Sequence, residues 1–317
     1  MSNNSLAFVF PGQGSQSVGM LGKLAGESPV VRATFDEASK VLGYDLWQLV
    51  SQGPAEALNS TERTQPAMLA AGIATLRLWL ERKGAQPAIV TGHSLGEFTA
   101  LVAAGAIDFG TCVDLVRYRG QVMQEAVPAG TGAMAALLGL EDADVVAVCA
   151  EAASAGGVVE AVNFNSPGQV VIAGDKSAVL RAIEMAKGRG AKRALELPVS
   201  VPSHSSLMKP AGQKLAQRLA SIAIQKPVIR YLSAVDAQQH VDPEDIRQLL
   251  VKQLSSPVRW TTTTAALTAG GFKIVVECGP GGVLAGLVKR ITRGGDTQTF
   301  ALESPESFQA ANSAVAA

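Results

Sequence analysis

Short apolar runs and longer helical patterns alternate along most of this chain. The runs at 6–10 (LAFVF), 88–92 (AIVTG) and 273–279 (KIVVECG) each end in a glycine-containing turn, and a helical pattern follows. Strands that are apolar on both faces and lead into helices are typical of a parallel sheet with helices on both sides. The pattern therefore predicts an α/β fold built on such a sheet.

Helical spacing of apolar residues predicts the elements that cover this sheet. Between the first two strands, apolar side chains recur at i, i+4, i+7 and i+11 from Leu69, and Pro66 suits the first turn of a helix over 66–82. The same periodicity predicts further helices over 95–105, 109–127, 207–220, 243–254 and 282–292. The small, polar segment 304–317 is expected to be a loose tail.

The middle of the chain changes rhythm and predicts a second, smaller domain. In order it gives a strand, a helix, two strands joined by a turn at 166–168, a helix and a strand. These elements span 132–140, 141–154, 158–165, 169–175, 177–190 and 191–198. This β-α-β-β-α-β order is that of a ferredoxin-like domain. We therefore expect a small ferredoxin-like domain at 129–199, inserted into a large domain formed by 1–128 and 200–317.

Composition and charge limit the classes of partner. The 317 residues include 27 basic and 27 acidic side chains, so no overall field would attract nucleic acid or a membrane surface. No apolar stretch reaches the roughly 20 residues that a membrane-spanning helix needs. Cys112, Cys149 and Cys278 have neither disulfide-framework nor metal-ligand spacing, which favours a cytoplasmic protein without a bound metal.

One glycine-flanked serine is a candidate nucleophile. Ser94 stands midway between Gly92 and Gly96 in the G-x-S-x-G pattern of a nucleophile elbow, after an apolar strand and before a predicted helix. Glycine on both sides permits the sharp turn that exposes the hydroxyl, and N–H groups at the helix start face a developing oxyanion. The pattern indicates a serine acyl-enzyme and leaves the acyl acceptor open. A tight turn that merely contains serine is the simpler alternative.

The chain has only three histidines that could act as the general base. His93 adjoins the nucleophile and points elsewhere on a sharp turn, and His240 lies in a polar stretch between elements. Elimination favours His204, which stands where the chain leaves the predicted small domain, and domain junctions are where clefts form. No local pattern selects an acid to orient it, and a neutral carbonyl could take that role. The acidic candidates are Asp236, Asp242, Glu277 and Glu303.

Two further features could bind an anion. The turn at 11–14 (PGQG) would present main-chain N–H groups to an oxyanion, but it lacks the glycine spacing and the lysine of a phosphate-binding loop. Arg117 and Arg119 lie two positions apart on a predicted helix, so their side chains point in different directions. At least one is expected to be ordinary surface, while the other could hold a substrate carboxylate. The spacing does not choose between them.

The assembled motifs resemble those of the malonyl-CoA:acyl carrier protein transacylases of fatty acid synthesis. The resemblance covers nearly the whole chain, through FVFPGQGSQ, GHSLGE, RGQVMQ, NFNSPGQVVIAG, VSVPSHSSLM, PVRW and ECGPG in that order. Several linked motifs in one order are far more specific than any single motif. The resemblance implies an α/β-hydrolase-like core with an inserted ferredoxin-like domain, which agrees with the fold expected from the elements.

The resemblance also implies roles for individual residues. Ser94 matches the nucleophile that carries the malonyl group, and His204 matches its general base and acid. Arg119 matches the arginine that binds the malonyl carboxylate, which selects it over Arg117 by analogy alone. Gln253 matches the glutamine whose main-chain or side-chain carbonyl orients the histidine, and this would explain the missing acid.

The implied reaction is a ping-pong transfer of malonyl from malonyl-CoA to the phosphopantetheine thiol of an acyl carrier protein, without a metal or redox cofactor. Gln13 and Leu95 match the residues whose main-chain N–H groups form the oxyanion hole. Because carrier proteins are acidic, a local basic patch should receive one, although a solvated helix end would look the same in sequence. The candidate patch consists of Lys187, Arg189, Lys192 and Arg193.

Three alternative functions need to be weighed. A serine esterase or thioesterase would use the same nucleophile, with a clear triad acid and no need for Arg119. A stand-alone acyltransferase of a polyketide pathway would perform identical chemistry, although VPSH at 201–204 differs from the HAFH and YASH segments typical of modular polyketide acyltransferases. A non-catalytic relative would lack Ser94 or His204, and both are present.

Overall fold

The structure is a computed structural model that describes residues 2–199 and 201–316, so the predicted domain limits at positions 1, 200 and 317 lie outside the described residues. The strands are β1 (Ser2–Phe10), β2 (Gln86–Gly92), β3 (Gly132–Leu138), β4 (Val159–Ser166), β5 (Gln169–Asp175), β6 (Arg193–Glu196), β7 (Arg230–Leu232), β8 (Gln239–His240), β9 (Ile274–Glu277) and β10 (Gln298–Ala301).

The helices account for most of the remaining chain. They are α1 (Gly22–Glu27), α2 (Pro29–Leu42), α3 (Leu46–Gln52), α4 (Ala55–Leu58), α5 (Thr61–Glu81), α6 (Gly96–Ala103), α7 (Phe109–Glu125), α8 (Asp142–Ser154), α9 (Lys176–Gly188), α10 (Lys209–Leu219), α11 (Pro243–Lys252), α12 (Trp260–Ala269), α13 (Val283–Ile291) and α14 (Pro305–Ala316). Short 3₁₀ helices span Ser206–Met208 and Gln253–Ser255. Within the described ranges, no helix is both long and apolar enough to cross a membrane.

The chain divides into two compact units, and the first contains a largely parallel sheet. This unit comprises Met1–Gly120, Ile222–Ile246 and Thr263–Ala317. In the described part of the chain, its strands run in the order β10-β9-β1-β2-β7-β8, and each neighbouring pair is parallel except β7 with β8. All five residues from 6 to 10 in β1 are completely buried, as expected for a central strand covered on both faces. The predicted α/β class with a parallel sheet is confirmed.

The register of the sheet places two loops side by side. Phe10, the last residue of β1, pairs with Gly92, the last residue of β2. On the other side of β1, Val9 pairs with Glu277 at the end of β9. The turn at 11–14 and the turn that carries Ser94 therefore begin at the same edge of the sheet, the carboxyl end, where open α/β sheets bind their ligands.

The second unit is built on an antiparallel sheet and comprises Gln121–Ser221 and Arg247–Thr262. Its described strands have the order β4-β5-β3-β6, and every neighbouring pair is antiparallel. Numbered within the unit, this is strand order 2-3-1-4, the ferredoxin-like arrangement. Helices α8 and α9 supply the apolar side chains that pack on the sheet, among them Val145, Val148, Val179 and Ile183.

This unit is larger than the predicted insertion at 129–199. The segment that precedes α12 adds one parallel bridge to β4, because Val258 donates its N–H to Val162 O (2.8 Å) and accepts from Phe164 N–H (2.9 Å). Lys214 on α10 also forms an ion pair with Glu125 at 2.7 Å. Segments far apart in sequence therefore join the unit through pairing that the local pattern does not reveal. The limits 129–199 of an inserted small domain stay a prediction.

Helix α5 begins at Thr61, five residues before the predicted start, so Pro66 lies inside the helix and not in its first turn. Proline has no N–H, and the carbonyl of Glu62 therefore loses its usual partner four residues later. The long apolar face compensates, since every residue from Gln65 to Leu76 is buried. The prediction failed because a proline was taken as a start signal.

The C-terminal segment was predicted to be a loose tail, and that prediction is wrong. Residues Pro305–Ala316 form α14, with Phe308 only 1% exposed. The Phe308 ring lies 6.3 Å from the Trp79 ring, centroid to centroid, and the Arg82 guanidinium lies 5.4 Å from its centroid. One aromatic anchor thus holds a helix whose sequence is too small and polar to show clear periodicity.

Candidate active site

Ser94 lies on a strained turn between β2 and α6. Its φ angle is +53°, in the left-handed region that costs a non-glycine residue about 1–2 kcal/mol. The turn is closed by two hydrogen bonds, from Gly96 N–H to His93 O (2.9 Å) and from Glu97 N–H to Ser94 O (3.0 Å). This is the geometry of a nucleophile elbow, and it places the serine at the positive end of α6.

The elbow needs glycine on both sides because main-chain atoms crowd it. A Cβ atom on Gly96 would lie 1.9 Å from Phe10 O, and one on Gly92 would lie 2.0 Å from the carbonyl carbon of Gly96. The neighbouring loop is equally close, since a Cβ on Gly12 would lie 2.5 Å from His93 O. Backbone cannot give way as a flexible side chain can, so these positions tolerate no side chain without a shift of the turn.

Gly96→Ala is expected to destabilise the protein by at least about 3 kcal/mol, because the added methyl group overlaps the β1 backbone. The measurement is the free energy of unfolding in urea. Gly26→Ala is the matched control, since Gly26 lies in α1 with no heavy atom within 4 Å of its added Cβ. The control should be neutral or slightly stabilising. Equal stability of the two variants would contradict the packing described here.

A buried arginine lies beside the serine. Arg119, on α7, is 1% exposed, and its Nη2 lies 3.4 Å from Ser94 Oγ. Nη1 donates to Gln65 Oε1 at 2.9 Å, and the guanidinium lies 5.3 Å from the centroid of the Phe98 ring. Burial lowers the pKa of Arg119 to about 10, and the negative charge of Glu97 opposes this lowering. The side chain is therefore a buried cation at neutral pH.

Arg117 has a different environment, which separates the two arginines that sequence spacing left equivalent. Its side chain is 37% exposed, and Nη2 lies 2.5 Å from Asp114 Oδ1, one helical turn earlier. Such exposed pairs contribute little, about 0–1 kcal/mol. Of the two side chains, only Arg119 turns toward Ser94.

Sequence reasoning missed four other polar residues of this region, namely Gln65, Glu97, Tyr231 and Ser233. Gln65 and Glu97 are each 1% exposed, and Glu97 accepts hydrogen bonds from the hydroxyls of Tyr231 and Ser233. A polar residue within an apolar helix face was the available signal at Gln65. Glu97 lies on α6, three positions after Ser94, but no local signal in the sequence places Tyr231 beside Glu97.

The second unit contains the histidine that elimination selected. His204 is 3% exposed and has φ = +67°. Its Nδ1 lies 2.8 Å from Gln253 O and 3.2 Å from Ser256 O, both main-chain carbonyls. Carbonyl oxygens only accept, so Nδ1 carries the proton and Nε2 is the basic nitrogen of the neutral ring. Gln253 thus contacts the imidazole through its main-chain carbonyl.

The carbonyls that hold His204 are themselves fixed by the antiparallel sheet. Gln253 begins a 3₁₀ helix, and Ser256 precedes the segment in which Val258 pairs with β4. Thr261 adds a hydrogen bond from its hydroxyl to Phe164 O at 3.1 Å. The motifs NFNSPGQ and PVRW therefore meet in one strand pairing, two residues after the Ser256 carbonyl that contacts His204.

The four acids considered as partners for the histidine are all engaged elsewhere. Asp236 bonds His240 (3.0 Å), Asp242 caps α11 at Glu244 N (2.8 Å), Glu277 accepts from Ala285 N (2.8 Å), and Glu303 accepts from Gly281 N (3.2 Å). Burial raises the pKa of Glu277 to about 7. Two carbonyls stand where a triad would have a carboxylate.

The two residues matched to the oxyanion hole lie in the loops at the carboxyl end of the parallel sheet. Leu95 is 1% exposed and immediately precedes α6, so its N–H is among those that have no acceptor within the helix. Gln13 is half-buried in the turn after β1. His93 N–H donates to Phe10 O at 3.0 Å and ties the two loops together.

The four residues of the basic patch are exposed, from the last turn of α9 through the connecting segment to the start of β6. Two of them are already paired with acids: Lys187 Nζ lies 2.6 Å from Glu184 Oε1, and Arg189 contacts Glu151. The cationic character of this surface therefore depends chiefly on Lys192 and Arg193.

Comparisons with known proteins give the family of this chain. The model of the acyl transferase domain family matches residues 7–302. The malonyl CoA-acyl carrier protein transacylase of Escherichia coli strain K12 is 56% identical over 306 residues, which cover 96% of this chain and 98% of that protein. The crystal structure of an acyl carrier protein S-malonyltransferase from Vibrio cholerae O1 biovar eltor has a TM-score of 0.93 and 55% identity, covering 96% of this chain and 99% of that one.

A third comparison includes a partner protein. A malonyl-transacylase solved in complex with a type II PKS acyl-carrier protein has a TM-score of 0.95 and 52% identity, covering 98% of this chain and 99% of that one. Identity above one half over nearly the whole length of each protein establishes common membership. The chain belongs to the acyl transferase family and, within it, to the malonyl-CoA:acyl carrier protein transacylases.

Proposed function

We propose that this chain moves a malonyl group from malonyl-CoA to the phosphopantetheine thiol of an acyl carrier protein, with Ser94 as the covalent carrier. The observation that carries the proposal is the buried Arg119 guanidinium, 3.4 Å from Ser94 Oγ. A buried cation beside a nucleophile suits an acyl group that carries its own carboxylate, since pairing offsets the desolvation of both charges. A neutral ester would leave that cation without a role, which speaks against an esterase or thioesterase.

We assign His204 as the general base and acid of both half-reactions. In acylation, Nε2 takes the Ser94 proton as Oγ attacks the thioester carbonyl, and it returns that proton to the departing CoA sulfur. In the second half, Nε2 takes the proton of the carrier thiol, the sulfur attacks the Ser94 ester, and Oγ regains the proton. The two carbonyls at Nδ1 support this role because they fix the ring and its tautomer.

The main-chain N–H groups of Gln13 and Leu95 are the proposed oxyanion hole. Negative charge develops on the carbonyl oxygen in each tetrahedral intermediate, and preorganised N–H donors stabilise it. The supporting observations are the position of Leu95 at the start of α6 and the hydrogen bond that ties the two loops. These steps need neither a metal nor a redox cofactor.

The test is intact-mass analysis of the protein after mixing with malonyl-CoA, followed by a chase with phosphopantetheinylated carrier protein. We expect a malonyl adduct that persists in buffer and disappears within the chase as malonyl-carrier protein forms. An adduct that decays equally fast without carrier would identify a hydrolase. Adduct formation with acetyl-CoA alone would overturn the role given to Arg119.

Fatty acid synthesis is the pathway we propose. A second candidate, supply of a type II polyketide carrier protein, is favoured by one observation: the relative in complex with such a carrier is 52% identical to this chain. Transfer rates to carrier proteins of the two kinds would separate the pathways. We place the enzyme in a reducing cytoplasm, in keeping with three cysteines that are all free and buried.

We further propose that the basic patch receives the acidic carrier protein. The Lys192→Glu/Arg193→Glu variant is expected to raise the KM for carrier protein about tenfold, because it reverses two exposed charges at the docking surface. Malonyl-CoA acylation of Ser94 should stay within about twofold. Arg32→Glu/Lys40→Glu, an equal change of net charge at two exposed positions of α2, is the control. A similar rise in both variants, or equal losses in the two half-reactions, would exclude the patch.

A further inference from the structure

A buried acid stands close to the nucleophile without a part in the chemistry described above. Glu97 is 1% exposed and begins the first turn of α6, where its main-chain N–H donates to Ser94 O at 3.0 Å. An ionised carboxylate removed from water is costly unless donors and cations replace the lost hydration. Its partners therefore indicate why the fold retains it.

Two hydroxyl groups hold this carboxylate. Tyr231 Oη and Ser233 Oγ both donate to Glu97 Oε2, the latter at 2.9 Å. Both donors are buried, at 1% and 0% exposure. Tyr231 lies on β7 and pairs with Val90 of β2, and Ser233 follows β7 directly, where its N–H donates to Gln238 O at 3.0 Å. Burial, together with the charge of Glu97, raises the pKa of Tyr231 well above its usual value, so the phenol keeps its proton and remains a donor.

The cation whose charge Glu97 balances is Arg119. Both side chains are buried, and the ring of Phe98, the residue after Glu97, lies 5.3 Å from the guanidinium. The negative charge of Glu97 opposes the fall in pKa that burial imposes on Arg119. Without substrate, the negative charge of Glu97 balances the positive charge of Arg119. Once the malonyl group is bound, two carboxylates face one guanidinium.

We propose that Tyr231 and Ser233 are positioning residues for malonyl selectivity, which hold Glu97 so that it balances the Arg119 charge without competing for the guanidinium edge that receives the substrate carboxylate. This rests on the proposed function, in which Arg119 binds that carboxylate. Two hydroxyl donors take up much of the Glu97 charge, so the second anion enters against less repulsion. Loss of either donor turns Glu97 toward Arg119.

The test compares Ser94 acylation by malonyl-CoA and by acetyl-CoA in single-turnover mass measurements. In Tyr231→Phe we expect the malonyl KM to rise about tenfold, with acetyl acylation unchanged, because a hydrogen bond to a charged group is lost. Ser233→Ala should show the same selectivity change to a smaller extent. Tyr44→Phe is the matched control, since among the described residues the Tyr44 hydroxyl is buried without a hydrogen-bond partner.

A second variant shows whether Tyr231 acts through the charge of Glu97. In a Glu97→Gln background, Tyr231→Phe should no longer alter the malonyl-to-acetyl ratio, because no carboxylate is left to compete for Arg119. If Glu97→Gln does not fold, the Tyr231→Phe/Ser233→Ala double variant decides, and its ratio should fall below that of either single variant. Equal losses of malonyl and acetyl acylation, or an unchanged ratio in Tyr231→Phe, would overturn the inference.

The Arg119→Met variant separates this inference from the proposed function. If Arg119→Met keeps the preference for malonyl, the carboxylate site itself is wrong. If Arg119→Met loses the preference while Tyr231→Phe retains it, Arg119 is the specificity residue and only the role of Tyr231 and Ser233 fails.

Discussion

Ser94→Ala protein mixed with malonyl-CoA is expected to gain no malonyl mass and to transfer malonyl at least about 10⁴-fold more slowly than the native chain. The reason is that the elbow presents the Ser94 hydroxyl at the start of α6, at φ = +53°, and alanine removes that hydroxyl. The measurements are intact mass and the rate of malonyl-carrier formation.

The same position offers an internal control for folding. Ser94→Gly should be as inactive as Ser94→Ala and yet resist denaturant better, by about 1 kcal/mol, because glycine adopts a positive φ without strain. Both variants should show native far-UV circular dichroism. A malonyl adduct in either variant would mean that another residue carries the acyl group.

Arg119→Ala is expected to lower the efficiency of malonyl acylation about 10²- to 10³-fold while changing acetyl acylation less than about tenfold. Charge-assisted hydrogen bonds from a buried guanidinium to a carboxylate are worth about 1.5–3 kcal/mol each, and each 1.4 kcal/mol is a factor of ten. Since the pKa of Arg119 is about 10, the cation and this preference should persist across pH 6 to 8.5. The measurement is the ratio of the two acylation efficiencies.

Arg117→Ala is the matched control for that experiment. It removes an arginine two residues away on the same helix, with 37% of the side chain exposed and Asp114 as its partner. Its acylation efficiencies should stay within about twofold of the native values. Loss of Arg119 leaves Glu97 without its balancing charge, so Arg119→Ala should also melt at a lower temperature. Parallel losses of malonyl and acetyl acylation in a stably folded Arg119→Ala would contradict the carboxylate role.

The elements most visible in the sequence were those whose burial repeats along the chain. Strand β1, with five consecutive buried residues, and α5, with its apolar face, follow directly from hydrophobic spacing. Helix α14 does not, because a single aromatic anchor at Phe308 holds it. The strand pairing of Val258 with β4 is likewise invisible locally, since it joins positions about a hundred residues apart.

The candidate site shows the same division. Ser94 could be predicted from the glycines that its turn requires, and His204 could be predicted because the chain has only three histidines. No local pattern predicts a role for Glu97 or Gln65, because their roles depend on side chains that are distant in sequence and contact them in the fold. The partner of Glu97 is Tyr231, 134 positions later in the chain, and only the pairing of β7 with β2 brings the two together.

The tight contact between the turn at 11–14 and the elbow has a consequence for engineering substrate preference. With Phe10 O 1.9 Å from where a Cβ of Gly96 would stand, and His93 O 2.5 Å from that of Gly12, the two turns form a single interlocked piece. A redesign that replaces one of these turns should therefore replace the other with it. A chimera that takes one turn from another enzyme and keeps the native second turn would bring together two turns whose main chains do not fit each other.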